Sequence, residues 1–195
     1  MVSHMTIWDY TADYGNYFHI LPALTAEVQN LKYYLRHGID GVMIMEVYGC
    51  RGGDQQRLRA WVLAKLLWNA KLDANELARE YCEGVYGPAA GERYAYFELV
   101  DKAGQAGKSI EEFYGLEKFT AEADKLFRAA LPKVADNPAA LRELELDYLP
   151  ILITRLNLIF DAYPGNKAHF PTAEYRQLLG EIKRISSAYG VTRIS

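Results

Sequence analysis

A chain of 195 residues, 50% hydrophobic and 24% charged, carries enough apolar material for a substantial core and too little charge for intrinsic disorder. Its 25 acidic and 22 basic side chains are mixed along the sequence and leave a net charge of −3, so no basic stripe exists to track a phosphate backbone and nucleic acid is not an expected partner. No run approaches the roughly 20 apolar residues of a membrane helix, and Cys50 and Cys82 match neither a zinc-site spacing nor a disulfide framework, so no membrane, metal or cofactor is expected.

Met1 to Met5 reads as a cloning remnant, and the chain is expected to be a fragment of a longer protein. Any secretion signal would then lie upstream, which leaves localisation open and a secreted or periplasmic bacterial parent compatible with a soluble chain. Ile7-Trp8-Asp9-Tyr10 is a short apolar run ending in an acid and an aromatic, and Gly41 to Tyr48 is a second such run. An amphipathic stretch, Thr25 to His37, lies between them. That is the spacing of strand, crossover helix and parallel strand. Val28, Leu31, Leu35 and Ile39 are expected on one side of this helix, with Lys32, Arg36 and His37 complementing its dipole and Gly38 closing it. Gly52-Gly53-Asp54 then reads as a turn and helix cap, followed by Leu58, Trp61, Val62 and Leu66 at helical spacing. Trp61 and Trp68, seven apart, are expected to pack in the core.

From Asp73 onward no further strand is predicted. Asp73 and Glu76 resemble a capping box for a helix that Gly87-Pro88 stops, with Cys82 on its apolar side near Ala78 and Val85. Ala89 to Ala103 predicts another helix, and the glycines between 104 and 115 a loop. Thr120 is expected to cap a helix through Leu131. Asn137-Pro138 opens a long segment to Phe160 that Pro150 should kink or split. Tyr175, Leu178, Leu179, Ile182, Ile185 and Tyr189 form the apolar stripe of the last helix. The fold class is therefore mainly α with a short βαβα segment. Residues 6–70 are expected to form the last two βα units of a TIM-type barrel, and residues 71–195 an α-helical C-terminal domain. Two parallel strands leave unpaired backbone along both edges, so helices, a second copy in a homo-oligomer or the rest of the protein should cover them.

Aromatics beside carboxylates at strand ends suit sugars, because an aromatic face stacks on the C–H face of a pyranose while a carboxylate accepts from its hydroxyls. Alternation puts Ile7 and Asp9 on one face and Trp8 and Tyr10 on the other, and groups Ile44, Glu46 and Tyr48 against Met43, Met45 and Val47. Asp9 and Glu46 can then face the same way, and if the strands are neighbours in register they lie within about one strand spacing, roughly 5 Å, plus side-chain reach, a placement compatible with a glycosidase carboxylate pair. The alternative is that they are separate groups that orient aromatics or hold hydroxyls. In the loop after the first strand, His19 is a candidate proton shuttle or hydroxyl ligand, or a structural hydrogen bonder, while Tyr10 and Tyr48 are candidates to line a sugar subsite. There is no phosphate-cradling glycine loop, no nucleophile elbow and no Ser-His-Asp order.

Trp8-Asp9-Tyr10 with Asn16-Tyr17 and Pro22, Asn30-Leu31 with Tyr33-Tyr34, Gly38 to Val42, Leu58 to Asn69, Tyr81 and Val85 to Ala90 together resemble the bacterial domain of unknown function 4838 family. Its members look like glycoside hydrolases with an eight-stranded barrel, related in form to β-hexosaminidases and α-glucuronidases, followed by a helical domain. The resemblance implies that the two strands are the barrel's last two and that Glu46, at the end of the final one, binds sugar hydroxyls. The catalytic acid of such enzymes comes from a middle strand that this chain does not supply. The expected function is therefore the C-terminal part of a glycoside hydrolase that binds carbohydrate through Glu46, Asp9, Tyr10, Tyr48, Trp8 and His19 but is inactive alone. The rival expectation is a non-catalytic helical interaction or carbohydrate-recognition module.

Overall fold

The two front runs pair in parallel. In a computed structural model of the protein, which describes residues 4–47, 50–162 and 172–192, β1 (Thr6–Tyr10) lies beside β2 (Gly41–Met45) with Trp8 opposite Met43 and Asp9 opposite Ile44. The crossover is α1 (Leu24–Arg36), whose inward line is Leu24, Glu27 and Leu31. Leu35, expected on that line, is exposed instead. Tyr34, in the same last turn of α1, reaches the strands, its hydroxyl donating to Asp9.

Helix α2 (Gln56–Trp68) starts later than the Gly-Gly-Asp turn suggested. Gln55 adopts φ 48° and Asp54 turns into the core rather than capping the helix. Trp61 is half-buried against Tyr81, but Trp68, the last residue of α2, is 93% exposed. In α3 (Ala74–Tyr86) the expected cap is present: the Asp73 carboxylate accepts from the N–H groups of Asn75 and Glu76 at 2.8 and 3.0 Å. Cys82 is buried there among apolar neighbours and Cys50 is half-buried. A 3-10 turn over Gly87–Ala89 leads into α4 (Ala90–Gln105).

The glycine-marked stretch is not all loop. Ser109 and Glu112 form a reciprocal capping box that starts α5 (Ile110–Tyr114), and α6 (Leu116–Ala130) follows directly. Thr120 is a buried interior residue of α6, its hydroxyl donating to the Glu117 carbonyl, and does not cap it. Asn137 caps α7 (Pro138–Asp161), which passes through Pro150 unbroken. The nine residues 144–152 are all buried, so packing on every side holds the segment helical despite the missing N–H, and the Pro150 carbonyl accepts from the Thr154 hydroxyl at 2.8 Å. Leu178, Ile182 and Ile185 of α8 (Thr172–Tyr189) bury the expected stripe.

The described residues are thus mainly helical, with one short two-stranded parallel sheet. One apolar cluster runs from Tyr17 and Phe18 of the strand-end loop through Val62 and Leu63 of α2 to Leu149 of α7 and Ile185 of α8. Among the described residues no helix is long and apolar enough to cross a membrane.

Candidate functional site

The sheet sorts the front residues onto two unlike faces. Paired residues of parallel strands point the same way, so Ile7, Asp9, Val42 and Ile44 face α1, while Trp8, Tyr10 and Met43 face outward. No described element covers the outward face: Trp8 and Tyr10 are each 57% exposed, and their rings stack at a centroid distance of 6.3 Å and 24°. Tyr14 meets Tyr10 edge-on at 5.6 Å, and Tyr17 continues the series behind it. The Tyr14 hydroxyl donates to the Met45 carbonyl at 2.9 Å, which fastens the strand-end loop to the end of β2.

The two predicted carboxylates lie on the other side. Asp9 accepts from the Tyr34 hydroxyl of α1 at 2.9 Å and from its own neighbour's N–H, that of Tyr10, also at 2.9 Å. Burial, then the hydrogen bond to Asp9, raises the Tyr34 phenol above its ordinary range. Glu46 stands one residue past β2, on Asp9's side, and its Oε1 lies 3.6 Å from Nε of Arg59 in α2. Glu27 completes this group from α1 and is only 7% exposed. Burial lifts its carboxyl to about 8, with Glu46 and Asp9 pushing the same way and Arg59 opposing. The register of Asp9 opposite Ile44, with Glu46 two residues further on, brings Asp9 and Glu46 to one side of the strand pair. Among the described residues α1 and α2 cover that side, with Tyr34 on Asp9 and Arg59 beside Glu46.

His19 sits at the far end of the strand-end loop, where its Nδ1 meets Oδ2 of Asp13 at 3.0 Å. That contact and the N–H groups of Gly15 and Asn16 hold the Asp13 carboxyl below its usual range against the opposing effect of burial. His19 lines a cleft of about 260 Å³ between this loop and the helices, with Asn16, Glu111, Asn157 and Asp161 as polar walls and Phe18, Ile153 and Leu158 among the apolar ones. Tyr48 lies outside the described residues. Among the described residues no group of three or more His, Cys, Asp or Glu side chains is placed to hold a metal ion.

Two groups escaped the sequence reading. Glu27 could have been noticed as a charge standing on the Leu24–Leu31 line of an amphipathic helix. The other group has no linear signal. Asp54 is buried and accepts from the Tyr96 hydroxyl at 2.9 Å and the Leu21 N–H at 3.3 Å, and burial raises its carboxyl to about 6. Beside it, Arg93 pairs with Asp147 at 2.7 Å, Asp147 also accepts from the Tyr86 hydroxyl at 2.7 Å, and Gln55 accepts from Arg93 at 3.4 Å. These contacts tie the segment before α2 to α3, α4 and α7 and so set the height of the strand ends against the helices.

The family described as Domain of unknown function (DUF4838) matches residues 1–98. No curated protein and no solved structure matches the chain.

Proposed function

The chain belongs to the domain of unknown function DUF4838 family, and from that premise we propose that it supplies the carbohydrate-binding end of a glycoside-hydrolase-like barrel. The observation that carries this reading is the stacked, outward-facing pair Trp8 and Tyr10 on a parallel βαβ unit. In a barrel, residues alternate between the interior and the helical shell, so the face turned away from α1 is the interior one. Trp8 and Tyr10 would stack on pyranose rings there, and Met43 would extend the apolar floor. His19 and the polar walls of the neighbouring cleft would take hydroxyls of a sugar unit beyond the stacked one.

Asp9 and Glu46 serve this surface from behind. Asp9 is fastened to α1 between the two aromatics in sequence, and Glu46 is fastened to α2 where β2 ends. Neither carboxylate has the open, paired geometry that acid–base or nucleophilic work on a glycosidic bond demands. On this reading the chain binds sugar through its aromatic face, and the bond-breaking carboxylates come from other strands of a complete barrel. The same engagement of Asp9 and Glu46 favours a second reading, a carbohydrate-recognition module without catalysis.

The test is ligand-observed NMR with a panel of aryl glycosides and uronides, run on the chain and on Trp8→Ala. Saturation transfer to one ligand class is expected, with affinity at least about tenfold weaker in the variant, the loss of roughly 1.4 kcal/mol of stacking. Equal affinity in the variant would remove Trp8 from the site. No binding by the unaltered chain to any sugar would defeat the proposal. To separate the two readings, turnover of the ligands that bind should be followed with a barrel-containing relative. Hydrolysis supports the hydrolase, and tight binding without turnover supports the recognition module.

A further inference from the structure

Glu27 is used by nothing in the sugar surface, yet it is the most deeply placed acid behind it. Among the described residues neither of its carboxylate oxygens has a hydrogen-bond partner, and the same holds for Oε1 of Glu46 and for Nε and Nη1 of Arg59. Arg59 is 4% exposed, so this is a buried group of polar atoms that face one another without closing hydrogen bonds. The charges around Glu27 come from each neighbouring element. β1 offers Asp9, the residue after β2 is Glu46, and α2 offers Arg59. The acid of α4 that meets α1, Asp101, is taken up by the hydroxyl of Thr25 at 2.6 Å and the amide of Gln105 at 2.7 Å and is not among the groups acting on Glu27. Among the described residues the one cation acting on Glu27 is Arg59, which already stands beside Glu46. A negative charge on Glu27 would be set against the Glu46 and Asp9 side chains, and in a buried setting that repulsion is screened little.

We propose that Glu27 is a proton-dependent latch: neutral, it lets α1 seat on the strand pair, and ionised, it drives α1 away from Asp9 and Glu46. The consequence reaches the outward face through one bond. Tyr34 is on α1, and its hydroxyl holds Asp9, the residue between Trp8 and Tyr10. When α1 lifts, that bond opens and the aromatic pair loses its backing. The link to sugar binding rests on the function proposed above, whereas the latch itself is a property of the unliganded chain and is tested without ligand.

The direction with pH follows from linkage. A carboxyl whose proton is held more tightly in the folded chain than in the unfolded one stabilises the fold fully at low pH, and loses that contribution as pH rises towards its folded value, about 8 for Glu27. Asp54 acts in the same sense, but only up to about 6. The window above about pH 6 therefore isolates Glu27. The experiment is a carboxyl carbon NMR titration of the glutamate-labelled chain with the indole signal of Trp8 followed alongside, and thermal unfolding of the chain and of Glu27→Gln from about pH 6 to about pH 9. One glutamate signal should titrate near pH 8 and vanish in the variant, and the Trp8 signal should shift with the same midpoint. The melting temperature should fall relative to the variant by on the order of 5 °C or more across the window. Parallel melting curves, no glutamate titrating near that pH, or a titrating Glu27 with an unmoved Trp8 would each overturn the latch. Should Glu27→Gln fail to fold, the titration of the unaltered chain decides alone.

Discussion

Arg93→Met is expected to destabilise the fold by about 3–5 kcal/mol, the cost of leaving a buried charge without its partner. Arg93 is 1% exposed, and its guanidinium lies 5.6 and 5.2 Å from the ring centroids of Tyr86 and Tyr96 while its Nε donates to Asp147. Burial works against the charge, but the Asp147 carboxylate outweighs it and holds the guanidinium protonated far above its ordinary range. Methionine fills much of the volume and supplies no donor, so Asp147 keeps only the Tyr86 hydroxyl. The denaturant midpoint of the variant should drop with little change in slope. The double variant Arg93→Met, Asp147→Leu removes both charges and should recover a large part of the loss, because a buried ion pair replaced whole by apolar side chains is often neutral. A single variant with an unchanged midpoint would mean that the pair does not hold the strand-end unit to the helices.

Gly104→Ala should cost about 2 kcal/mol or more, although alanine favours an α-helix over glycine by roughly 1 kcal/mol. A Cβ at position 104 would stand 2.3 Å from the Pro22 carbonyl oxygen and 3.2 Å from its carbon, and these are backbone atoms that cannot rotate aside. Either α4 moves outward or the segment entering α1 shifts, and both loosen the crossover helix from its support. Gly84→Ala and Gly91→Ala are the controls. Each lies in a helix, exposed, with nothing within 4 Å of the added atom, so each should gain up to about 1 kcal/mol in the same unfolding measurement. If Gly104→Ala behaved like the controls, the close approach of α4 to Pro22 would not limit the packing.

The front of the molecule was legible because its signals are local. A period of two set the strand faces, the helix between them required a parallel pair, and Asp73 and Asn137 announced two helix starts through hydrogen bonds made within three residues. Ser109 and Glu112 carried an equally local signal that the surrounding glycines masked. Where the reading failed, a distant neighbour had the deciding energy. Pro150 should end a helix, yet a wholly buried segment leaves it no other place to go. Trp68 has the spacing of a core residue, yet it ends α2 and stands exposed.

The candidate site divides along the same line. Sequence alone determined that Asp9 lies on one face of its strand with Trp8 and Tyr10 on the other, since alternation is a property of the extended backbone, while the pairing of Asp9 with Ile44 set Glu46 on the side of Asp9. Only the tertiary structure decided which face is open. That choice belongs to α1, whose Leu24–Leu31 line seeks burial and takes the acids' side of the sheet with it, while Tyr34 and Arg59 arrive from positions 25 and 13 residues away to meet the two carboxylates. Burial and charge pairing between residues far apart in the chain are set by how the elements dock, and no spacing along the sequence encodes them.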